Sequence, residues 1–416
     1  MSILPIMQNH ILLLDGAIST MLSQSGILHK EECPELLNAT HPLDVLDIHA
    51  AYLDAGADII TANTFGASTL RLSIFGLQDR MEELIQSGVS LCREAAASLD
   101  RTVYIAASIG PTGERIQSDP GMPQRMYDSF FQQCAIAAAA GADILLIETM
   151  SDLCEARLAL LAARAACQLP VFCSFILEPD DNTYAGNPPE VLGLCCAKLG
   201  AALCGVNCGL GPEELFLGYS RLAGASPLPA FAMPNAGKPL NGCYSLSPGA
   251  MATAMQPYLH SGAAAIGGCC GTAPEHIRAL RTLLNDFHGH ARQAVPDAEA
   301  ICSTSLRLPL DQLEPFELFN LSGLSASQAI DRVSALCKEA KALHLDLADL
   351  QADFIRSILL SLLPKIGKIP VAFHVHNAEQ AHAALFVYPG IAAVYAHSDA
   401  YRVHKAAARY GAEIVD

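Results

Sequence analysis

The sequence predicts an α/β fold: a (β/α)8 TIM barrel over residues 1–285, then a small C-terminal α/β domain. Three observations point there. Eight short apolar runs precede residue 285, most of them separated by helical stretches. A helix-stop and strand-start pattern recurs along the chain. Polar and unusual residues gather at the carboxyl ends of the apolar runs. Eight strand–helix units in about 280 residues is the count for a closed barrel.

The candidate strands lie near 11–15, 58–63, 103–109, 143–148, 171–176, 203–207, 229–234 and 264–268. Gly56-Ala57-Asp58-Ile59-Ile60, Gly141-Ala142-Asp143-Ile144-Leu145 and Gly262-Ala263-Ala264-Ala265-Ile266 each follow a helical stretch, and Leu199-Gly200-Ala201-Ala202-Leu203 is a looser copy. Glycine suits the left-handed residue that ends a helix. The apolar run after it suits a parallel strand buried on both faces. Strands alternating with helices imply right-handed βαβ units. An open doubly wound sheet is the alternative, but the first strand is not followed by a glycine-rich dinucleotide fingerprint.

Composition narrows the class. The chain has 416 residues, 51% of them hydrophobic and 16% charged, which suits a large core. The net charge of −17 argues against nucleic acid, whose binding needs clustered Lys and Arg. Fifteen cysteines are scattered through apolar runs, where a buried thiol acts as a small hydrophobe. The start, Met1-Ser2-Ile3-Leu4-Pro5, lacks the pattern of a signal peptide. No apolar stretch reaches membrane-span length. The expectation is a reducing cytoplasm with most thiols free, and no membrane partner.

Asp15-Gly16-Ala17, Asn63-Thr64-Phe65, Gly110-Pro111-Thr112-Gly113, Glu148-Thr149, Asn207-Cys208, Pro234-Asn235-Ala236-Gly237 and Cys269-Cys270 all fall at or just after a strand end. In a barrel those ends converge on the rim that carries active sites. Cys208, Cys269 and Cys270, flanked by glycines, read as a metal site. Three thiolates bind zinc and leave its fourth position open, as in catalytic zinc centres. The other twelve cysteines, Cys195-Cys196 included, read as packing thiols. Asp15 and Glu148 would project from strand ends toward the rim. The competing reading has Asp15 capping the next helix and Glu148 as a structural acid. Asn207 and Thr64 read as braces of the rim.

With these motifs in place, residues 10–285 resemble the homocysteine S-methyltransferase family, most closely the homocysteine-binding barrel of cobalamin-dependent methionine synthase. The runs that carry the resemblance are Leu13-Leu14-Asp15-Gly16-Ala17, Ala62-Asn63-Thr64-Phe65-Gly66-Ala67, Ser108-Ile109-Gly110-Pro111-Thr112-Gly113-Glu114, Glu148-Thr149, Val206-Asn207-Cys208, Pro234-Asn235-Ala236-Gly237-Lys238-Pro239 and Gly267-Gly268-Cys269-Cys270-Gly271-Thr272. The resemblance implies zinc-dependent methyl transfer to homocysteine, with Cys208, Cys269 and Cys270 as ligands. It places the substrate ammonium near Asp15 and Glu148. Gly16, Ala17, Ile18 and Ser19 would offer backbone N–H groups to the carboxylate, and Thr64 would border the pocket. Asn235, after the seventh strand, could fill the open metal position in the absence of substrate or simply brace its loop. Ser19 and Ala62 depart from the family pattern beside this pocket, which leaves another small thiol open as substrate.

The segment 286–300 reads as a linker. Beyond it, candidate strands at 316–319, 343–347, 371–375, 392–396 and 413–415 suggest a shortened relative of the pterin-binding barrel that follows in the same synthases. It has no convincing pterin motif. Nor does the chain show the Asp-x-His-x-x-Gly run of a cobalamin domain. A methylated corrinoid would therefore arrive on a partner protein. S-methylmethionine or betaine are the alternative donors, and the absence of tryptophan weakens betaine. A different class of reading is a zinc-binding subunit without turnover. His374 and His376 alternate along one strand and could make a ligand pair, although two packed or solvated histidines is the favoured account.

Overall fold

The structure, a computed structural model, describes residues 3–7, 10–29, 31–116, 119–239, 244–295, 299–313, 318–338 and 340–415. Eight parallel strands form one sheet: β1 (Leu12–Leu13), β2 (Ile59–Ala62), β3 (Tyr104–Ile109), β4 (Ile144–Met150), β5 (Val171–Phe175), β6 (Leu203–Asn207), β7 (Ala230–Met233) and β8 (Ala265–Ile266). Their order is β1-β8-β7-β6-β5-β4-β3-β2. The ring closes between β1 and β2, where Leu14 bridges Ile59. There Asp58 N donates to Leu13 O at 2.8 Å and Asp15 N to Ile59 O at 3.0 Å. The expected (β/α)8 barrel is therefore present. Pro189, Pro212, Pro248 and Pro274 open four of the outer helices. The fixed φ of proline suits a first helical position, whose N–H has no intrahelical partner.

Alternation along the strands sorts the core into two layers. Leu12, Leu14, Ile59, Tyr104, Ala106, Ile144, Leu146, Phe172, Leu203, Phe231 and Ala265 form one cluster, which fills the barrel. Their neighbours Leu13, Ile60, Ile105, Leu145, Cys173, Cys204, Ala232 and Ile266 belong to the larger cluster under the helices. Successive side chains on a strand face opposite ways, so this parity sets what can enter the barrel. Ile3, Met7 and Ala291 join the inner cluster.

Strands β9 (Ala300–Cys302) and β10 (Arg307–Pro309) make an antiparallel hairpin that the sequence reading missed. It is too short to show a period. A second parallel sheet follows, ordered β11 (Leu318–Asn320), β12 (Leu343–Asp346), β13 (Val371–Val375), β14 (Ala393–Ala396) and β15 (Glu413–Val415). Residues 316–317 of the expected 316–319 strand lie outside the described residues. Ile301 and Leu308 of the hairpin pack on Ala372 and Ala393 of this sheet and on Ala342 just before β12. The expected linker is laid against the barrel: Arg292 N donates to Gly262 O at 2.9 Å and Val295 N to Pro227 O at 2.9 Å. Pro296 and Asp297, also assigned to it, lie outside the described residues.

His374 and His376 do not form a pair. His374 is buried and His376, past the end of β13, is exposed. His374 instead joins a chain of imidazoles, with His344 Nδ1 3.1 Å from its Nε2 and His397 Nε2 3.0 Å from its Nδ1. Burial and the neighbouring imidazoles hold its pKa down to about 4. No helix among the described residues is long and apolar enough to cross a membrane.

The C-terminal sheet docks on the barrel through Arg157, a fully buried residue of the helix Leu153–Ala166. Its guanidinium donates to Phe386 O at 3.3 Å and Leu385 O at 2.5 Å, the last carbonyls of the helix Ala378–Val387. A cation there meets the negative end of the helix dipole. Lys198 pairs with Glu413 across the same boundary. Arg157→Ala strands those carbonyls and leaves a cavity, so we expect a loss of about 2–4 kcal/mol in urea unfolding. Limited proteolysis should then cut between residues 286 and 300 faster than in the wild type.

Candidate active site

The inner parity of the strands ends in polar residues at the top of the barrel. Above the apolar layers stand Thr61 of β2, Ser108 of β3, Glu148 of β4, Ser174 of β5 and Asn207 of β6. They form a connected network. Ser108 Oγ donates to Glu148 Oε1 at 2.5 Å, and Asn207 Nδ2 donates to Glu148 Oε2 at 3.2 Å. Ser174 Oγ and Thr149 N both donate to Asn207 Oδ1 at 2.9 Å. Asp15, just after β1, accepts from Thr61 N at 2.7 Å and from Thr61 Oγ1 at 2.8 Å. The helix Ile18–Gln24 that follows β1 has Ala17 as its N-cap, without a side-chain bond, so Asp15 is not its cap.

The network floors a cavity of about 220 Å³. Asp15, Gly16, Ala17, Glu148 and the three cysteines line it, together with Thr61, Ser108, Phe65 and Met233. Cys208, Cys269 and Cys270 place their sulfurs within 4.8 Å of one another, the one such cluster of potential metal-binding groups among the described residues. Cys208 Sγ and Cys270 Sγ stand 3.7 Å apart. Hydrogen bonds from Cys208 and Cys269 hold the Cys270 thiol down to about 3, with a further contribution from Tyr244.

Backbone geometry carries these side chains to the rim. A register irregularity in β4 between Ile147 and Met150 brackets Glu148. Thr149 and Cys208 take left-handed conformations, with φ of 61° and 62°. Such non-glycine residues cost about 1–3 kcal/mol each and cluster at functional sites. The turn after β8 needs its glycines. A Cβ on Gly268 would sit 2.5 Å from Thr272 Cγ2, and one on Gly271, at φ +80°, would sit 2.1 Å from the Tyr244 ring. Thr272 Oγ1 donates to Cys269 O at 2.6 Å and accepts from Ala17 N at 3.3 Å, tying the cysteine turn to the Asp15 loop.

Two expected pocket residues stand elsewhere. Thr64 does not line the cavity; it lies past the end of β2, outside the inward parity, and its hydroxyl donates to Ser108 O at 2.8 Å. Asn235 is likewise not among the residues that line the cavity, although it adjoins the cysteine turn. Its neighbour Ala236 N donates to Cys270 O at 2.9 Å, while the buried Asn235 Oδ1 has no hydrogen-bond partner. The Ala17 amide is engaged by Thr272. Thr61, Ser108 and Tyr244 were missed. Alternation from Ile59 and from Tyr104 pointed to the first two; nothing local pointed to Tyr244, which reaches the site by packing on Gly271.

Burial dominates the two acids. It pushes Asp15 up to about 7, against the bonds from Thr61 and helped by Glu148. It likewise pushes Glu148 up to about 7, against the Ser108 bond. Both are therefore short of a cation at neutral pH.

Fold and site together define a (β/α)8 barrel with a three-thiol centre and a two-acid pocket at its carboxyl rim. The chain belongs to the homocysteine S-methyltransferase family, whose sequence profile matches residues 12–284. It is similar to the methionine synthases of Mycobacterium tuberculosis, 31% identical over 311 residues, and Mycobacterium leprae, 32% identical over 286 residues. These matches take in 70% and 64% of the chain but only 26% and 24% of the relatives' length. The metallated form of the homocysteine methyltransferase MmuM from Escherichia coli shares the fold, at 24% identity and TM-score 0.57 over 67% of this chain and 98% of that one. Its apo form matches at 25% identity and TM-score 0.55, over 67% and 97%.

A carboxyl group whose pKa is raised by folding stabilises the fold below its unfolded pKa and loses that contribution as pH rises through the folded value. Asp15→Asn keeps both Thr61 contacts without the charge. In urea unfolding of the ligand-free protein at pH 8 it should be more stable than the wild type, by up to about 4 kcal/mol. The gain should shrink as pH falls towards 4.

Proposed function

We propose that this chain moves a methyl group to the thiol of homocysteine, forming methionine, with zinc held by Cys208, Cys269 and Cys270. The observation that carries this reading is the meeting of three thiols and two cation-short acids in one cavity. The donor set suits the metal. A tetrahedron with zinc–sulfur bonds of about 2.3 Å spaces its sulfurs about 3.8 Å apart, against 3.7 Å for Cys208 and Cys270. The unpartnered Asn235 Oδ1 beside the cysteine turn suits the fourth position when no thiol is bound. Zinc held there would supply the Lewis acidity that favours the ionised form of a bound thiol at neutral pH.

The chain's own residues do the rest. Asp15 and Glu148 bind the substrate ammonium, and the pairing draws both acids into their ionised form. The backbone amides of Gly16, Ile18 and Ser19 face the carboxylate. These contacts fix the amino acid so that its sulfur lies over the thiol cluster, open towards the mouth where Phe65 stands. The thiol proton leaves to solvent. The S–C bond forms as the donor's bond to carbon breaks, its electron pair staying with the donor.

The donor we favour is a methylated corrinoid on a partner protein; the Lys238-bearing run Pro234-Asn235-Ala236-Gly237-Lys238-Pro239 and the two methionine synthase relatives support it. S-methylmethionine and betaine are the competing donors. We read residues 301–416 as a shortened relative of the barrel that follows in such synthases, because the five strands keep the sequential order of a (β/α)8 barrel. Fourteen described cysteines are free thiols, which suits a reducing cytoplasm.

Cys270→Ser should lose the metal by elemental analysis. Methionine formation should fall by more than the roughly hundredfold typical of outer-shell changes. The assay supplies homocysteine with methylcobalamin, S-methylmethionine or betaine in turn, and production from one donor alone assigns the donor. Undiminished turnover of the zinc-free protein would sink the mechanism.

A further inference from the structure

Asn207 holds more of the site together than a brace needs to. It is fully buried. Its Oδ1 accepts from Thr149 N and Ser174 Oγ, both at 2.9 Å. A backbone N–H can only donate, so the orientation of the amide is settled. Nδ2 then carries two hydrogens and faces three acceptors: Thr149 Oγ1 at 2.8 Å, Glu148 Oε2 at 3.2 Å and Cys269 Sγ at 3.9 Å. Thr149 takes one hydrogen. Glu148 and Cys269 compete for the other.

We propose that Asn207 is a positioning residue that couples the acid pocket to the thiol cluster. An ammonium group seated on Glu148 releases the amide hydrogen to Cys269 Sγ. The inference rests on the reading of this cavity as an amino-acid thiol site. Its physics is electrostatic. Above about pH 7, where an empty Glu148 is mostly ionised, its carboxylate holds the shared hydrogen at the shorter distance. An ammonium offsets that charge and weakens the hold, while the sulfur of Cys269 keeps its own. A stronger N–H···S bond draws electron density from the ligand sulfur, and outer contacts of this kind tune what a metal does to its remaining ligand. The centre is thereby most activating when an amino group is in place. A plain thiol that reaches the cysteines without an ammonium finds the amide still on Glu148. Selection for an amino-acid thiol is then built into one side chain.

Cobalt(II) loaded in place of zinc gives a thiolate-to-metal charge-transfer band that reports electron density on the cysteine sulfurs. 2-Aminobutyrate, which is homocysteine without its sulfur, fills the acid pocket without adding a sulfur ligand. Saturating 2-aminobutyrate should move the wild-type band to shorter wavelength. Butyrate, which lacks the ammonium, should leave it in place; this comparison needs no variant. Asn207→Asp keeps the Oδ1 acceptor and removes the donor. It should still bind 2-aminobutyrate by calorimetry but show no band shift. A wild-type band unmoved by bound 2-aminobutyrate, or an equal shift in Asn207→Asp, overturns the coupling. No thiolate band at all with cobalt would instead remove the three-thiol metal reading, and the coupling with it.

Discussion

A closed parallel barrel admits one side chain from every second strand residue, and everything at this site depends on that restriction. Leu12, Ile59, Tyr104, Ile144, Phe172, Leu203 and Phe231 fill the lower layers with apolar bulk. The same parity, carried two or four residues further, brings Thr61, Ser108, Glu148, Ser174 and Asn207 into the top layer. Residues far apart in sequence thus become hydrogen-bonded neighbours at fixed spacing. The ring must close for this to happen. The Leu14–Ile59 bridge closes it and sets Asp15 against Thr61 in the same step.

The top layer is overloaded with potential negative charge: two carboxyls and three thiols around one cavity. Burial would ordinarily neutralise such groups. Here the acids are only partly relieved, Asp15 by Thr61 and Glu148 by Ser108 and Asn207. Raised acids of this kind in a cleft mark a candidate functional site, one that a cation would complete. The left-handed Thr149 and Cys208 add backbone strain where β4 and β6 reach the rim. Thr149 is compensated locally, since Asn207 bonds both its backbone N–H and its hydroxyl.

The C-terminal sheet is tied into the same core as the barrel helices. Arg157 is the clearest joint, a buried cation answered by helix-end carbonyls instead of a carboxylate. On the sheet itself His344, His374 and His397 form a chain of hydrogen-bonded imidazoles. Their spacing along the chain gave no hint of this. Parallel pairing brings β12, β13 and β14 together, and only the ladder register sets the three rings side by side.

The amino-acid order by itself determined the barrel, because its eight apolar runs, glycine stops and helix-opening prolines are local signals. It also determined the chemical types at the rim: the Cys269-Cys270 pair, Cys208, Asp15 and Glu148 each sit in motifs that can be read without coordinates. Alternation would even have assigned Thr61 and Ser108 to the interior, and excluded Thr64. What only the tertiary structure decided is which of these groups touch. The sharing of one amide hydrogen between Glu148 and Cys269, the packing of Tyr244 on Gly271, the unpartnered Asn235 oxygen and the docking of Arg157 all arise between distant segments. Their distances are set by barrel closure and strand register, which no window of sequence contains.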